Sequence, residues 1–203
     1  MTTNFIRVAF LCTATISSPV LLLAQGSANS NQQQQNNQQG AGMAGAMNGA
    51  AGNNDPSGQA VRDKAFIKKA SEGGFAEIQL GQLAAQKGGS DEVKQFGQKM
   101  VDDHMALNAS MQPSADAMGV KAPTKLSKKD QSEYDKLNGL SGADFDKEYL
   151  AYMVKDHHQD LRDFKDEDAT VTDSGLKPAV DKGLQVIQEH TQMVDKLNKA
   201  KKG

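Results

Sequence analysis

Cysteine is all but missing from this chain: Cys12 is the only one in 203 residues. A lone thiol excludes a disulfide framework. Its position, inside an apolar N-terminal run, leaves the rest of the chain without any thiolate chemistry. The residues just before it, Ala9-Phe10-Leu11, lack the small residue that lipoprotein processing requires. A large excess of charge of one sign is missing too. Lys and Arg number 23 against 25 Asp and Glu, a formal net charge of −2, and the two signs alternate along the chain. No basic stripe of the kind that binds nucleic acid is present. Phosphate-cradling glycine loops and recognisable hydrolase motifs are also absent.

Long hydrophobic runs are scarce. The one candidate, Val8 to Ala24, is short and is broken by Ser17, Ser18 and Pro19. With Arg7 before it and small residues at Ala24, Gly26 and Ala28 after it, residues 1–28 read as a cleaved signal peptide. A retained anchor is the alternative. The chain would then have no integral membrane span after cleavage.

Residues 29–59 come next. Asn31 to Gln39 is entirely Asn and Gln, and Gly40 to Gly52 is Gly, Ala, Met and a single Asn. Too little apolar area is available there to outweigh the entropy of ordering, so a disordered tether is expected. Residues 60–199 remain as one domain of ordinary size.

That domain shows no sustained strand alternation, and its Gly and Pro residues fall almost entirely at breaks between helical patterns. The reading is all-α: four long helices and a short one. The first runs from about Val61 to Lys87 and ends at Gly88-Gly89. The second opens at Ser90, an N-cap, and should kink or end at Pro113. A short helix is expected from Ser127 to Leu137. A long one opens at Ser141 with Asp144 in a capping-box position. The last opens near Asp173 or Ser174 and runs to Asn198. The short connections predict antiparallel pairs, and the longer stretch from Ala122 to Leu140 crosses between them, carrying the short helix.

The apolar stripes are interrupted in one consistent way. Val93, Gly97, Met100, His104, Leu107 and Met111 share one face of the second helix. Leu150, Val154, His157, Leu161 and Phe164 share one of the fourth. Leu176, Val180, Gly183, Ile187, His190, Val194 and Leu197 share one of the last. On the first helix, Glu77 takes the matching slot in Phe66, Ala70, Gly73, Glu77, Leu80 and Ala84, although Ile67, Ser71, Gly74 and Ile78 offer a rival face. At about 1.5 Å per residue, all four polar residues lie at middle depth. Three imidazoles and a carboxylate there would form a mononuclear metal site for Zn, Cu or Fe. The bland alternative is a buried polar layer that fixes helix register.

Asp103, Asp156 and Glu189 each precede a stripe histidine and read as the solvated flank, with orientation of ligands as the rival role. Met100, Met153 and Met193 read as core filler rather than soft ligands. Tyr149 and Tyr152 either donate hydrogen bonds at the site or pack at its edge, and His158 is expected to face solvent.

The run Ala65-Phe66-Ile67-Lys68-Lys69-Ala70-Ser71-Glu72-Gly73-Gly74-Phe75-Ala76-Glu77, followed by Leu80-Gly81, resembles the opening of an exported bacterial family, domain of unknown function 4142. Met100-Val101-Asp102-Asp103-His104, Phe145-Asp146-Lys147-Glu148-Tyr149-Leu150 and Glu189-His190 resemble its later signatures. The resemblance covers about Val61 to Leu197. It implies a ferritin-like four-helix bundle and a periplasmic or otherwise exported location, with outer-membrane association suggested by labels its members carry. It implies no activity. A ferritin-type di-iron centre is not expected, because Glu-x-x-His would be needed and Val101, Val154 and Ile187 stand three residues before the three histidines. The leading expectation is a non-enzymatic envelope protein, a binding or structural module with an unknown partner. The first alternative is a metal-binding protein using Glu77, His104, His157 and His190, and the second a metal-dependent redox enzyme at the same place.

Overall fold

A computed structural model describes residues 56–201. The expected leader, and the expected tether up to residue 55, lie outside the described residues. Those described form five helices and no strand: α1 (Pro56–Lys87), α2 (Asp91–Ala117), α3 (Lys128–Asn138), α4 (Gly142–Thr170) and α5 (Lys177–Ala200). The four long helices make a closed ring. α1 packs on α2 and α4 on α5, while α2 against α5 and α1 against α4 complete it; α3 lies on α1 and α4.

α1 begins five residues before Val61, within the stretch expected to be tether. Pro at a first helical position is well placed, since its missing N–H would have no partner there. The extra turn is held by buried Gln59, which hydrogen-bonds buried Asp63 and accepts from Arg62. α2 does not stop at Pro113 but continues to Ala117. Pro113 and Ala109 both face solvent, so the helix bond that proline deletes leaves a carbonyl that water can reach. Burial of Met111, Ser114 and Ala115 on the other face carries the helix through.

Two expected caps are built differently. Neither Ser90 nor Ser141 makes a side-chain cap bond to its own helix. Asp146, 1% exposed, collects the donors instead. Its carboxylate accepts from the Gly89 N–H (2.7 Å), the Ser90 N–H (3.1 Å), the Ser90 hydroxyl (2.9 Å) and the Lys201 ammonium (3.0 Å). One buried side chain therefore ties the α1–α2 turn, the start of α4 and the end of α5 together. Burial alone would raise its pKa, but the Gly89, Lys201 and Ser90 donors hold it below the usual carboxylate range. Gly142, at φ +62°, makes the sharp entry into α4 beside Gly88. α5 starts at Lys177, later than expected, because the Asp173 side chain accepts from the Gly175 and Leu176 N–H groups and shapes a turn first.

The core has two apolar clusters. One gathers Leu80, Phe96, Met100, Phe145, Tyr149, Met153 and Val194 with their neighbours. The other gathers Phe66, Ile67, Leu107, Met111, Phe164, Val180 and Ile187. On every long helix one polar residue falls between the two: Glu77, His104, His157 and His190, each no more than 2% exposed. Val154 and Leu161 within the α4 stripe, and Leu197 at the end of the α5 stripe, are only half-buried.

Candidate metal centre

The ring of helices aims its four buried polar residues at one another. His104, His157 and His190 each offer a ring nitrogen, and the three nitrogens lie within 4.8 Å of one another. Ring centroids are 5.3 Å (His104–His190), 5.5 Å (His157–His190) and 6.1 Å (His104–His157) apart. Phe96 presents its ring to His190 at 6.2 Å and to His157 at 6.4 Å, walling the cluster off from the apolar half that contains Tyr149. Glu77 stands between two of the histidines, with Oε2 3.0 Å from His104 Nδ1 and Oε1 3.5 Å from His157 Nε2.

Each ring spends one nitrogen on an anchor and leaves the other bare. His104 Nδ1 faces Glu77 at 3.0 Å. His157 Nδ1 lies 3.2 Å from the Met153 carbonyl, and His190 Nε2 2.7 Å from Asp103 Oδ2. The Met153 carbonyl and the ionised Asp103 carboxylate can only accept, which fixes the hydrogen on His157 Nδ1 and His190 Nε2. The remaining nitrogens, His104 Nε2, His157 Nε2 and His190 Nδ1, are buried and lack a hydrogen-bond partner, as does Glu77 Oε1. The three histidines thus offer ligand nitrogens to one another across the core, with Glu77 beside His104 and His157.

Electrostatics keeps the histidine lone pairs free. Burial lowers the pKa of all three rings. His157 falls to about 3, with His190 adding repulsion, and His104 is pushed well below its ordinary value by burial and then by His190 and His157. His190 is lowered by burial despite the opposing pull of Asp103. The rings are neutral at physiological pH, the state that ligates metals. Asp103 is partly exposed and is also paired with Lys99 at 2.7 Å. Burial would raise its pKa, but the bonds from Lys99 and His190 hold it low.

Asp103 was expected among the solvated flank, yet it anchors the histidine of a different helix. Glu189 behaves as expected, exposed and 3.9 Å from Lys99. His158 is partly exposed and pairs with Asp195 at 3.1 Å, outside the cluster. Tyr149 is buried with its hydroxyl unpartnered. Asp160 did not stand out in the sequence. It lies one helical turn beyond Asp156, and the two meet Glu77 with carboxylate oxygens within 4.8 Å of one another. The i, i+4 spacing of two acids around His157 was the signal, but on a solvated helix such pairs are commonplace. Burial raises all three, Asp156 to about 6, Asp160 to about 7 with Asp156 adding repulsion, and Glu77 well above its ordinary value with Asp160 and Asp156 adding theirs.

A cavity of about 20 Å³, lined by Gly73, Gly74, Glu77, His104, Leu107 and Asp160 among others, touches both groups. It is about the size that holds one water-sized particle.

The profile of the family described as Domain of unknown function (DUF4142) matches residues 45–197. No curated protein gives a significant match. Two solved structures are similar in fold. One is a DUF305 fragment from Deinococcus radiodurans, with TM-score 0.60 and 8% identity over 68% of this chain and 96% of that one. The other is a DUF305 protein from Streptomyces coelicolor, named as a secreted protein, with TM-score 0.60 and 13% identity over 70% of this chain and 93% of that one. At these identities the likeness is one of fold. No helix among the described residues is long and apolar enough to cross a membrane.

Proposed function

The chain belongs to the DUF4142 family, and from the geometry of its core we propose that it is an exported metal-binding protein, holding one transition-metal ion inside a ferritin-like antiparallel four-helix bundle. The observation that carries the reading is the set of three buried, neutral imidazoles, each anchored outward through one nitrogen and bare on the other. A register-fixing polar layer would satisfy its own atoms, since each unsatisfied buried group costs about 1–3 kcal/mol. This layer leaves four unsatisfied at one place. A divalent ion satisfies all four at once.

His104, His157 and His190 would supply nitrogen, and Glu77 oxygen. The set contains no thiolate and suits Zn²⁺, Cu²⁺ or Fe²⁺, with Cu²⁺ the tightest of the three by the usual order of affinities. Ligands on a tetrahedral ion stand roughly 3.4 Å apart, so nitrogens within 4.8 Å need only small ring rotations to close on one. Asp103 and the Met153 carbonyl hold the ring tautomers of His190 and His157, the role that anchoring partners play around metal-bound histidines. Export rests on the apolar leader of residues 1–28 and accords with the secreted relative in fold. Binding or storing the ion is the simplest use of a site whose residues are at most 2% exposed. A redox role at the same ion is the second reading.

The test is titration of the chelator-stripped chain with Cu²⁺ and Zn²⁺ by calorimetry, beside His104→Ala and His190→Ala. One equivalent bound by the wild type and lost in both variants, with helicity retained, is the expected result. No binding by the wild type would overturn the proposal and return the histidines to a packing role.

A further inference from the structure

We infer that the bundle holds a second, oxygen-lined cation site formed by Glu77, Asp156 and Asp160, adjoining the histidine site and sharing Glu77 with it. The three carboxylates come from two helices, α1 and α4, and an oxygen of each lies within 4.8 Å of the others. Two oxygens on opposite sides of one ion, each about 2.3–2.4 Å from it, stand about 4.6–4.8 Å apart, so that spread is what one hard cation spans. Among the described residues no Lys or Arg comes within ion-pair distance of any of the three, and Glu77 and Asp160 share a side-chain hydrogen bond. The nearest lysines are engaged elsewhere. Lys69 pairs with Asp163, and Lys129 sits 5.9 Å over the Tyr152 ring.

Two further features point to a ligand rather than to an idle acidic patch. Glu77 is 2% exposed and its Oε1 has no hydrogen-bond partner. The small cavity lined by Glu77, His104 and Asp160 has room for one small particle between the two groups. Asp156 in turn lines a cleft of about 430 Å³ between α3 and α4, with Lys129, Glu133 and Tyr152, so this side of the cluster is reached from solvent while the histidine side is enclosed.

All-oxygen donors select a harder ion than the imidazoles do, of the Mn²⁺, Mg²⁺ or Ca²⁺ class. The inference rests on the preceding reading only through Glu77.

Manganese is the probe. The whole chain, carrying one equivalent of diamagnetic Zn²⁺, is titrated with Mn²⁺ and free Mn²⁺ is followed by its electron paramagnetic resonance. One equivalent of Mn²⁺ should bind, and Asp156→Asn and Asp160→Asn should each weaken it at least tenfold while keeping the Zn²⁺. A wild type that keeps Zn²⁺ yet leaves all the Mn²⁺ free would overturn the second site alone. Unchanged Mn²⁺ binding in both variants would overturn it as well. If Zn²⁺ fails to bind but Mn²⁺ does so in an Asp160-dependent manner, the histidine site falls and this one stands.

Discussion

Replacing His157 by leucine should have opposite consequences with and without metal. In the metal-free protein the ring is fully buried, neutral and bare at Nε2. Leucine of similar volume removes that unsatisfied atom, a relief of about 1–3 kcal/mol. The variant gives up the Nδ1 bond to the Met153 carbonyl, worth about 0.5–1.5 kcal/mol, in a helix that already uses that carbonyl. The metal-free variant should therefore be as stable as the wild type or up to about 2 kcal/mol more stable. With an ion present at a hundred times its Kd, the wild type gains about 2.7 kcal/mol. For a domain of this size that is a rise in Tm of roughly 5–10 °C, absent in the variant. Differential scanning calorimetry in chelator and in excess Zn²⁺ or Cu²⁺ measures both arms. If the wild type shows no metal-dependent shift and His157→Leu loses several kcal/mol in chelator, the ring is a packing element and the lone-pair reasoning fails.

Asp160→Asn should stabilise the metal-free protein at pH 8 and leave it near wild type at pH 4. In the folded wild type Asp160 keeps its proton up to about pH 7, while the unfolded chain releases it near 4. Stability is therefore lost as pH rises through that window, and the variant escapes the loss by about 1–3 kcal/mol after allowance for partial exposure; urea unfolding at the two pH values checks this. Asp146→Ala should cost about 3–5 kcal/mol at pH 7, since it strands the buried donors that its carboxylate now accepts from. The Asp146 contribution is complete above about pH 4 and disappears as pH falls through its depressed folded value, so the gap between variant and wild type should close in acid. Gly97→Ala would set a Cβ 2.7 Å from the Gly81 carbonyl oxygen and 2.6 Å from the Ala84 Cβ. Forcing α1 and α2 apart should cost about 1–3 kcal/mol, read by thermal melts.

The helices and the meeting of Glu77, His104, His157 and His190 were legible because a polar residue on an apolar stripe breaks a 3.6-residue period, which one sequence displays. The rival face of α1 shows where this thins out: Ile67 and Gly74 are buried as well, because a helix packed against two neighbours buries more than one stripe. Asp156 and Asp160 were harder to read, since their place beside Glu77 depends on how α4 is rotated against α1. Asp103 is reached by His190 of another helix, a pairing that no spacing along α2 encodes. Ser90 and Ser141 stand at the N-caps as expected, but their side-chain cap bonds are missing for a similar reason. Ser90 carries the right local chemistry, but a buried carboxylate 56 residues away competes for its hydroxyl. Pro113 breaks a helix only where the carbonyl it strands is cut off from water.

The four donors of the histidine site come from α1, α2, α4 and α5, so no pair of neighbouring helices assembles more than half of it. A chain folded only through α2 offers scattered side chains with no formed cage. Capture of an ion at the proposed site would therefore be a late event that waits for the docking of α5. An ion bound there would be one available where the chain completes its fold, so the place of folding would take part in metal choice alongside the ligands themselves.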